Sequence, residues 1–301
     1  MRVIVIGEPC IDVIHKADGK VYNEHGGISY SITAGGMLDD GIETVPIIGL
    51  SREDRPYFDR LFAELSNVDY SGFYETAAPV RRVDIFYEDD NNRWECSTQP
   101  IEPTPYDKIS PFLPAEGIHV NLISGDDITL DTLRKIRAAA PLAHIHLDLH
   151  NMVMTRMPDG KRVRGPREDF LEWCTQADSV QLNEDEARVI DPSTHDDAAL
   201  AGKILAGPTR AVVISYAEKG LALFEKGGEG TVEHFFPPTM TAVVDPTGSG
   251  DVFGATFLRA LLLGKSFTVA AEAGIEMAAR KVGAAGPGGL LKTKKMGEHV
   301  R

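Results

Sequence analysis

The stretch Val243-Val-Asp-Pro-Thr-Gly-Ser-Gly-Asp-Val-Phe-Gly-Ala-Thr-Phe257 decides how the rest of the chain is read. Val243 and Val244 close a β-branched run, Asp245 and Pro246 interrupt it, and Gly248, Ser249 and Gly250 make a small-residue turn. From Phe253 to Leu263 apolar residues then recur at helical spacing. The pattern predicts strand, tight glycine turn, helix. Such a turn lets backbone N–H groups converge, and the opening of the helix adds unpaired N–H groups and the positive end of its dipole. The pocket suits an anion. Asp251, in the first helical turn, sets a carboxylate beside that pocket, where it would only repel a phosphate held for binding alone. The placement has a use if the carboxylate takes a proton from a nucleophile directed at the phosphate. An aspartate that merely complements the helix dipole is the alternative.

The segment Asp245-Pro-Thr-Gly-Ser-Gly-Asp251 resembles the D-[TP]-T-G-A-G-D signature of the ribokinase-like (PfkB) carbohydrate kinase family, with Ser249 in the usual alanine place. The resemblance implies an α/β fold, a three-layer α/β/α sandwich on a mostly parallel sheet with a small β lid. It also implies Asp251 as catalytic base, Gly248, Ser249 and Gly250 as the anion hole, and Thr247 on the nucleotide side. ATP and Mg2+ are the implied cofactors, and a hydroxyl of a sugar or sugar-like polyol is the implied acceptor.

Composition agrees with a folded enzyme of this size. The 301 residues are enough for one large α/β domain with a small appendage, and 43% hydrophobic with 25% charged residues is ordinary for a globular protein. A formal net charge of −14 argues against nucleic acid or an anionic membrane as partner, because both need basic patches. A nucleotide needs only local donors and a metal ion. Cys10, Cys96 and Cys174 are far apart, with neither a zinc spacing nor a disulfide framework. The apolar run after Met1 is too short for a secretory signal and is followed by Glu8, so the expected location is cytoplasmic. No run approaches the roughly 18 apolar residues of a membrane helix.

In chain order, Val3 to Ile6 reads as a buried parallel strand ending at Gly7, and Asp12 follows beyond its carboxyl end, where open α/β sheets place ligands. A plain loop aspartate is the alternative. The G-E-x-x-x-D match resembles the family's substrate-binding aspartate. Gly26 and Gly27 open a small-residue stretch similar to the family's G-G-x-x-x-N element, which implies close approach of the substrate, with Ser31 where ribokinase-type members carry asparagine. That departure, beside bulky Tyr30, points away from ribose.

Residues 12–25, with a turn at Asp18-Gly19-Lys20, and residues 79–99, with a turn at Asp90-Asn91-Asn92, read as two hairpins. The resemblance makes them the lid and residues 1–11, 26–78 and 100–301 the main domain, and it suggests a homodimer paired through the lids. Decorative surface hairpins are the alternative. Strands at Glu43–Leu50, Ile118–Ser124, His144–Leu149 and Ser179–Leu182 alternate with helices at Asp54–Leu65, Thr129–Ala140 and Asp169–Cys174, which predicts a doubly wound parallel sheet.

Asn183 and Glu186 form an Asn-x-x-Glu pair at a predicted helix start. A simple capping box explains it. The resemblance to the family's N-x-x-E motif gives it more, with Glu186 organising Mg2+ through water and Asn183 beside it. Ala211 to Phe224 reads as strand, turn, strand, and the resemblance puts Ser215 and Gly220 on the nucleotide side. The helix Thr268–Val282 and the Gly283–Gly289 loop would then close over adenine.

Rival readings remain. His144, His146, Asp148 and His150 share one strand face, as in a metal hydrolase, although ligands spaced roughly 6 to 7 Å along one strand seldom converge on one ion. A non-catalytic sugar or nucleotide binder would keep the fold. Within the kinases, a nucleoside or inositol acceptor is an alternative to a sugar. Leu263-Gly-Lys-Ser266 mimics the end of a Walker motif without its upstream glycine and reads as a helix end.

Overall fold

Along Val3-Ile-Val-Ile6 every residue is apolar because the strand is covered on both faces. Val3 and Val5 join the core on one side of the sheet, Ile4 and Ile6 the core on the other. The computed structural model describes residues 1–87, 93–97, 102–228 and 230–298. The Asp90-Asn91-Asn92 turn lies outside the described residues.

The strands begin with β1 (Arg2–Ile6), β2 (Pro9–His15), β3 (Val21–Gly27), β4 (Glu43–Leu50), β5 (Phe73–Glu75), β6 (Arg81–Tyr87) and β7 (Arg93–Cys96). They continue with β8 (Gly117–Asn121), β9 (His144–Asp148), β10 (Met154–Arg156), β11 (Arg162–Arg164) and β12 (Ser179–Asn183). β13 (Ala211–Ser215), β14 (Leu221–Gly227) and β15 (Gly230–Phe236) complete them. The main sheet has nine strands in the order β15-β14-β13-β12-β9-β8-β1-β4-β5. From β13 to β5 every neighbour is parallel, and β14 and β15 add an antiparallel edge.

The helices are α1 (Ser29–Met37), α2 (Arg55–Phe62), α3 (Tyr106–Ile109), α4 (Leu130–Ala139) and α5 (Phe170–Cys174). After them come α6 (Glu184–Ile190), α7 (Asp197–Leu205), α8 (Ser249–Leu262), α9 (Phe267–Val282) and α10 (Gly286–Glu298). Leu133, Trp173, Ile190 and Ile204 bring α4 to α7 onto the face that carries Ile4 and Ile6. Ile32, Phe58, Val252, Met277 and Leu290 bring α1, α2, α8, α9 and α10 onto the opposite face. The result is three layers, helix, sheet and helix. Among the described residues no helix is long and apolar enough to cross a membrane.

A second sheet of four strands, in the order β3-β2-β6-β7, stands beside the first. β2 begins at Pro9, directly after Gly7 and Glu8, so it continues the path of β1. The strands therefore reach further than the expected 12–25 hairpin, to Pro9 on one side and Gly27 on the other. Two ion pairs fasten this sheet at its base. Arg81 on β6 meets Glu8 at 2.9 Å, and Arg162 on β11 meets Glu95 on β7 at 2.9 Å.

Two expectations are corrected. Val243 and Val244 do not end a strand. They are 73% and 59% exposed, and the main-chain N–H groups of Val244 and Asp245 donate to the Val282 carbonyl at the end of α9, not to a neighbouring strand. The loop expected over Gly283–Gly289 is shorter, because α10 starts at Gly286 within it. Pro287 fits there, since the first turn of a helix has no use for its missing N–H.

Candidate active site

Parallel pairing brings the carboxyl ends of four strands into one row, at Asn121, Asp148, Asn183 and Ser215. Asn121 lies opposite Asp148, Asp148 opposite Gln181, and Asn183 opposite Ser215. The first turn of α8 sits over this row. Asn121 Nδ2 donates to Asp251 Oδ1 at 2.6 Å, and Gln181 Nε2 donates to the Gly250 carbonyl at 2.9 Å and to Asp148 Oδ2 at 3.0 Å. The Asp251 side chain is thus held by a strand-end amide, only 5% exposed, at the opening of the helix.

Gly248 caps α8 with φ +78°, a left-handed conformation that an L side chain rarely adopts. A methyl on it would also overlap the Tyr30 ring, which packs directly beneath. Ser249 and Gly250 follow as the first helical residues; the Ser249 N–H donates to the Pro246 carbonyl at 3.3 Å, and the Gly250 N–H has no intrahelical acceptor. Asp245 Oδ1 accepts from the Thr247 N–H at 3.0 Å and so shapes the approach to the turn, while Thr247 Oγ1 is buried without a protein partner.

Asp12 on β2 is 6% exposed, and its carboxylate lies against Gly26 of the neighbouring strand, where any side chain would collide with it. Burial pushes its pKa up to about 6, with Cys10 Sγ donating to it at 3.3 Å in opposition, and the charge of Asp251 is felt there too. Gly27 follows at the end of β3 with φ +58°. Ser31 is placed differently from expectation. It is fully buried in α1, and its hydroxyl donates to the Asp251 main-chain carbonyl at 3.2 Å, so it supports the turn from behind.

Asn183 and Glu186 form the complete capping box of α6. Asn183 Oδ1 accepts the Glu186 N–H at 2.9 Å, and Glu186 accepts the Asn183 N–H at 2.8 Å and its Nδ2 at 2.6 Å. The Asn183 side chain is thereby occupied within the cap. Burial pushes the Glu186 carboxyl up to about 7. Ser215 is paired beside Asn183, whereas Gly220 turns with φ +107° against the Phe236 carbonyl, a packing role between β13 and β15.

The histidines of the rival metal reading are taken up by packing and side-chain hydrogen bonds. His146 is fully buried, with Nδ1 2.9 Å from Ser179 Oγ and Nε2 3.2 Å from Gln181 Oε1, and His144 Nε2 lies 2.9 Å from the same Ser179 hydroxyl. Burial lowers His144 to about 4 and His146 well below its ordinary value. The other half of that motif lies beside Asp251 instead. Asp148, His150 and Asp251 have ligand atoms within 4.8 Å of one another. Burial alone would pull His150 down, but Asp251, Asp148 and Glu186 together raise it.

Asn121 and Gln181 were not singled out as site residues from the sequence, and His150 only as part of the rival histidine cluster. Asn121 and Gln181 differ from ordinary strand residues only in being polar inside apolar runs, Ile118–Ser124 and Ser179–Leu182, a signal that points to a strand end facing a ligand.

The fold is that of the ribokinase-like kinases. A family model described as "pfkB family carbohydrate kinase" matches residues 115–294. The chain belongs to that family and is a kinase. It is 25% identical over 289 residues to the cytidine kinase of Thermococcus kodakarensis, covering 92% of this chain and 95% of that one. Among solved structures it resembles a pyrophosphate-dependent kinase of the ribokinase family complexed with a pyrophosphate analogue and myo-inositol, with TM-score 0.80, 18% identity and coverage of 99% and 100%. It also resembles the ribokinase of Thermotoga maritima, with TM-score 0.72, 17% identity and coverage of 98% and 99%.

Proposed function

We propose that this kinase transfers the γ-phosphoryl group of ATP to a hydroxyl of an uncharged sugar, cyclitol or nucleoside. The observation that carries the reading is Asp251, a buried carboxylate oriented by Asn121 at the helix opening, where the Gly250 and Asp251 N–H groups have no backbone acceptor. Asp251 takes the proton of the acceptor hydroxyl as its oxygen forms a bond to the γ-phosphorus. The bond from that phosphorus to the β-phosphate oxygen breaks, and ADP leaves with the electron pair. The N–H groups of the turn hold the charge on the transferred group.

Asp12, lying over Gly26, accepts hydrogen bonds from acceptor hydroxyls. The second sheet acts as the lid, keeping water from the phosphoryl group. An uncharged acceptor is favoured because Asp12 feels the charges of Glu95 and Asp251, and the nearby arginines are already paired, Arg81 with Glu8 and Arg162 with Glu95. An anionic acceptor such as a sugar acid or sugar phosphate would meet net repulsion.

The carboxylates of Asp148 and Glu186 are of the oxygen-donor type that Mg2+ takes, mostly through water. Burial raises both carboxyls above the usual carboxylate range, and a divalent ion bound with the donor phosphates would offset that cost, so the residues fit one. That ion would neutralise phosphate charge.

The test is a phosphotransfer assay over fructose, ribose, myo-inositol, cytidine and other nucleosides, each with ATP and with pyrophosphate as donor. The pyrophosphate arm is included because a pyrophosphate-dependent kinase shares the fold. With the best pair, Asp251→Asn is expected to lower kcat by about 10²–10⁴ and leave donor binding by calorimetry nearly unchanged. Near-normal turnover in that variant would refute the base assignment.

A further inference from the structure

Lys281 is a charged side chain that the proposed reaction does not use, yet it is fully buried in the last turn of α9. Its Nζ donates to the Asp245 carbonyl at 2.9 Å, to Asp245 Oδ2 at 3.0 Å and to the Ala284 carbonyl at 3.1 Å. Those acceptors use all the protons of an ammonium group. The same nitrogen lies 5.3 Å from the centroid of the Tyr30 ring, the ring on which Gly248 rests. Asp245 in turn receives the Thr247 N–H on Oδ1 at 3.0 Å and the Gly286 N–H on Oδ2 at 3.0 Å. One ammonium therefore ties together the approach to the glycine turn, the ring beneath it and the start of α10. A methionine would fill similar volume without the cost of desolvating a charge, so packing alone gives no reason for lysine.

We propose that Lys281 is the positioning residue of the anion turn. Its ammonium fixes the Asp245–Gly250 segment with the N–H groups directed at the transferred phosphoryl group, and supplies an internal positive charge behind them. The proposal rests on the phosphotransfer reading above, which supplies the anion.

The experiment compares wild type, Lys281→Ala and Lys281→Met in two measurements, calorimetric binding of inorganic pyrophosphate as probe and kcat with KM for the best acceptor. Lys281→Ala is expected to weaken pyrophosphate binding about tenfold and lower kcat roughly 10²-fold, with the acceptor KM within about twofold of wild type. Methylammonium chloride, which can refill the vacated space with an ammonium group, is expected to restore both in Lys281→Ala. It should restore neither in Lys281→Met, where the thioether fills the space, and tetramethylammonium chloride, too large to enter, should do nothing in either variant.

A lysine that only packs would lower the melting temperature and leave pyrophosphate affinity and kcat of the folded protein as they were. That result, or a loss that methylammonium does not relieve, overturns the proposal. Asp245→Asn is the second variant, should Lys281→Ala not fold. It keeps the lysine but removes its counter-charge, and wild-type pyrophosphate affinity in a folded Asp245→Asn protein also overturns the proposal. Wild type that neither binds pyrophosphate nor transfers phosphate sinks the phosphotransfer reading as well. Active wild type with an unaffected Lys281→Ala sinks this one alone.

Discussion

At the scale of the residue, Gly248 is the position where backbone and side-chain packing make the same demand. It combines φ +78° with the Tyr30 ring beneath it, so Gly248→Ala adds a methyl to occupied volume on a strained backbone. A loss of about 1–3 kcal/mol in urea unfolding is expected from the backbone alone, together with loss of phosphotransfer. Asp12 makes a different prediction. Its carboxyl is pushed up to about 6 by burial, so it is ionised, and able to accept from two hydroxyl protons, only above that pH. As pH falls through about 6 the acceptor KM should rise. In Asp12→Asn the KM should be high at every pH and this limb absent, which a pH series of initial rates would read. A KM that stays flat from pH 5 to about 8 in wild type would count against Asp12 as the acceptor's partner. Asp251, Asp12 and Gly26 were readable as residues because a motif or a strand end marks them. The placement of Ser31, which the sequence did mark, and the whole of Lys281 were not, because what each does depends on a partner far along the chain, the Asp251 carbonyl for one and Asp245 for the other.

At the scale of the element, α8 is pinned at both ends. Its N-terminus is held by Asn121 and Gln181, and near its C-terminus the 2% exposed Arg259 reaches out of the helix. Arg259 donates to Asp40 Oδ2 at 2.8 Å, to Asp40 Oδ1 at 2.5 Å, to Thr44 Oγ1 at 2.9 Å and to the Ile42 carbonyl at 2.6 Å. Arg259→Ala would strand these acceptors and is expected to cost about 3–5 kcal/mol in chemical denaturation, since breaking one side of a buried pair leaves the other uncompensated. The helix itself was legible from Phe253 to Leu263 by its apolar spacing. The strand drawn before it was not real, because the β-branched pair Val243-Val244 has strand propensity but no neighbouring edge to pair with. Strands β1, β4, β8, β9 and β12 were found within two or three residues of their ends because burial on both faces leaves continuous apolar runs. Their order in the sheet, which brings Asn121, Asp148 and Gln181 together, follows from crossover connections that no local pattern encodes.

At the scale of the whole molecule, the large sheet carries the supports of Asp251 and the small sheet carries Asp12. If the small sheet closes over the acceptor, hydrogen exchange in β2, β3 and β6 should slow when a donor analogue and acceptor are bound together, more than with either alone. Exchange in β8 and β9, already within the core, should change little. Equal protection with one ligand and with both would argue against closure. The join between the sheets has a mechanical implication. Gly7 and Glu8 are the whole link between β1 and β2, and Asp12 lies only a few residues beyond on the second strand. Any tilt of the small sheet must therefore displace the carboxylate proposed to hold the acceptor. On the proposed reading, clamping and gripping become a single degree of freedom, and a substitution at that joint is expected to alter affinity and water exclusion in the same direction.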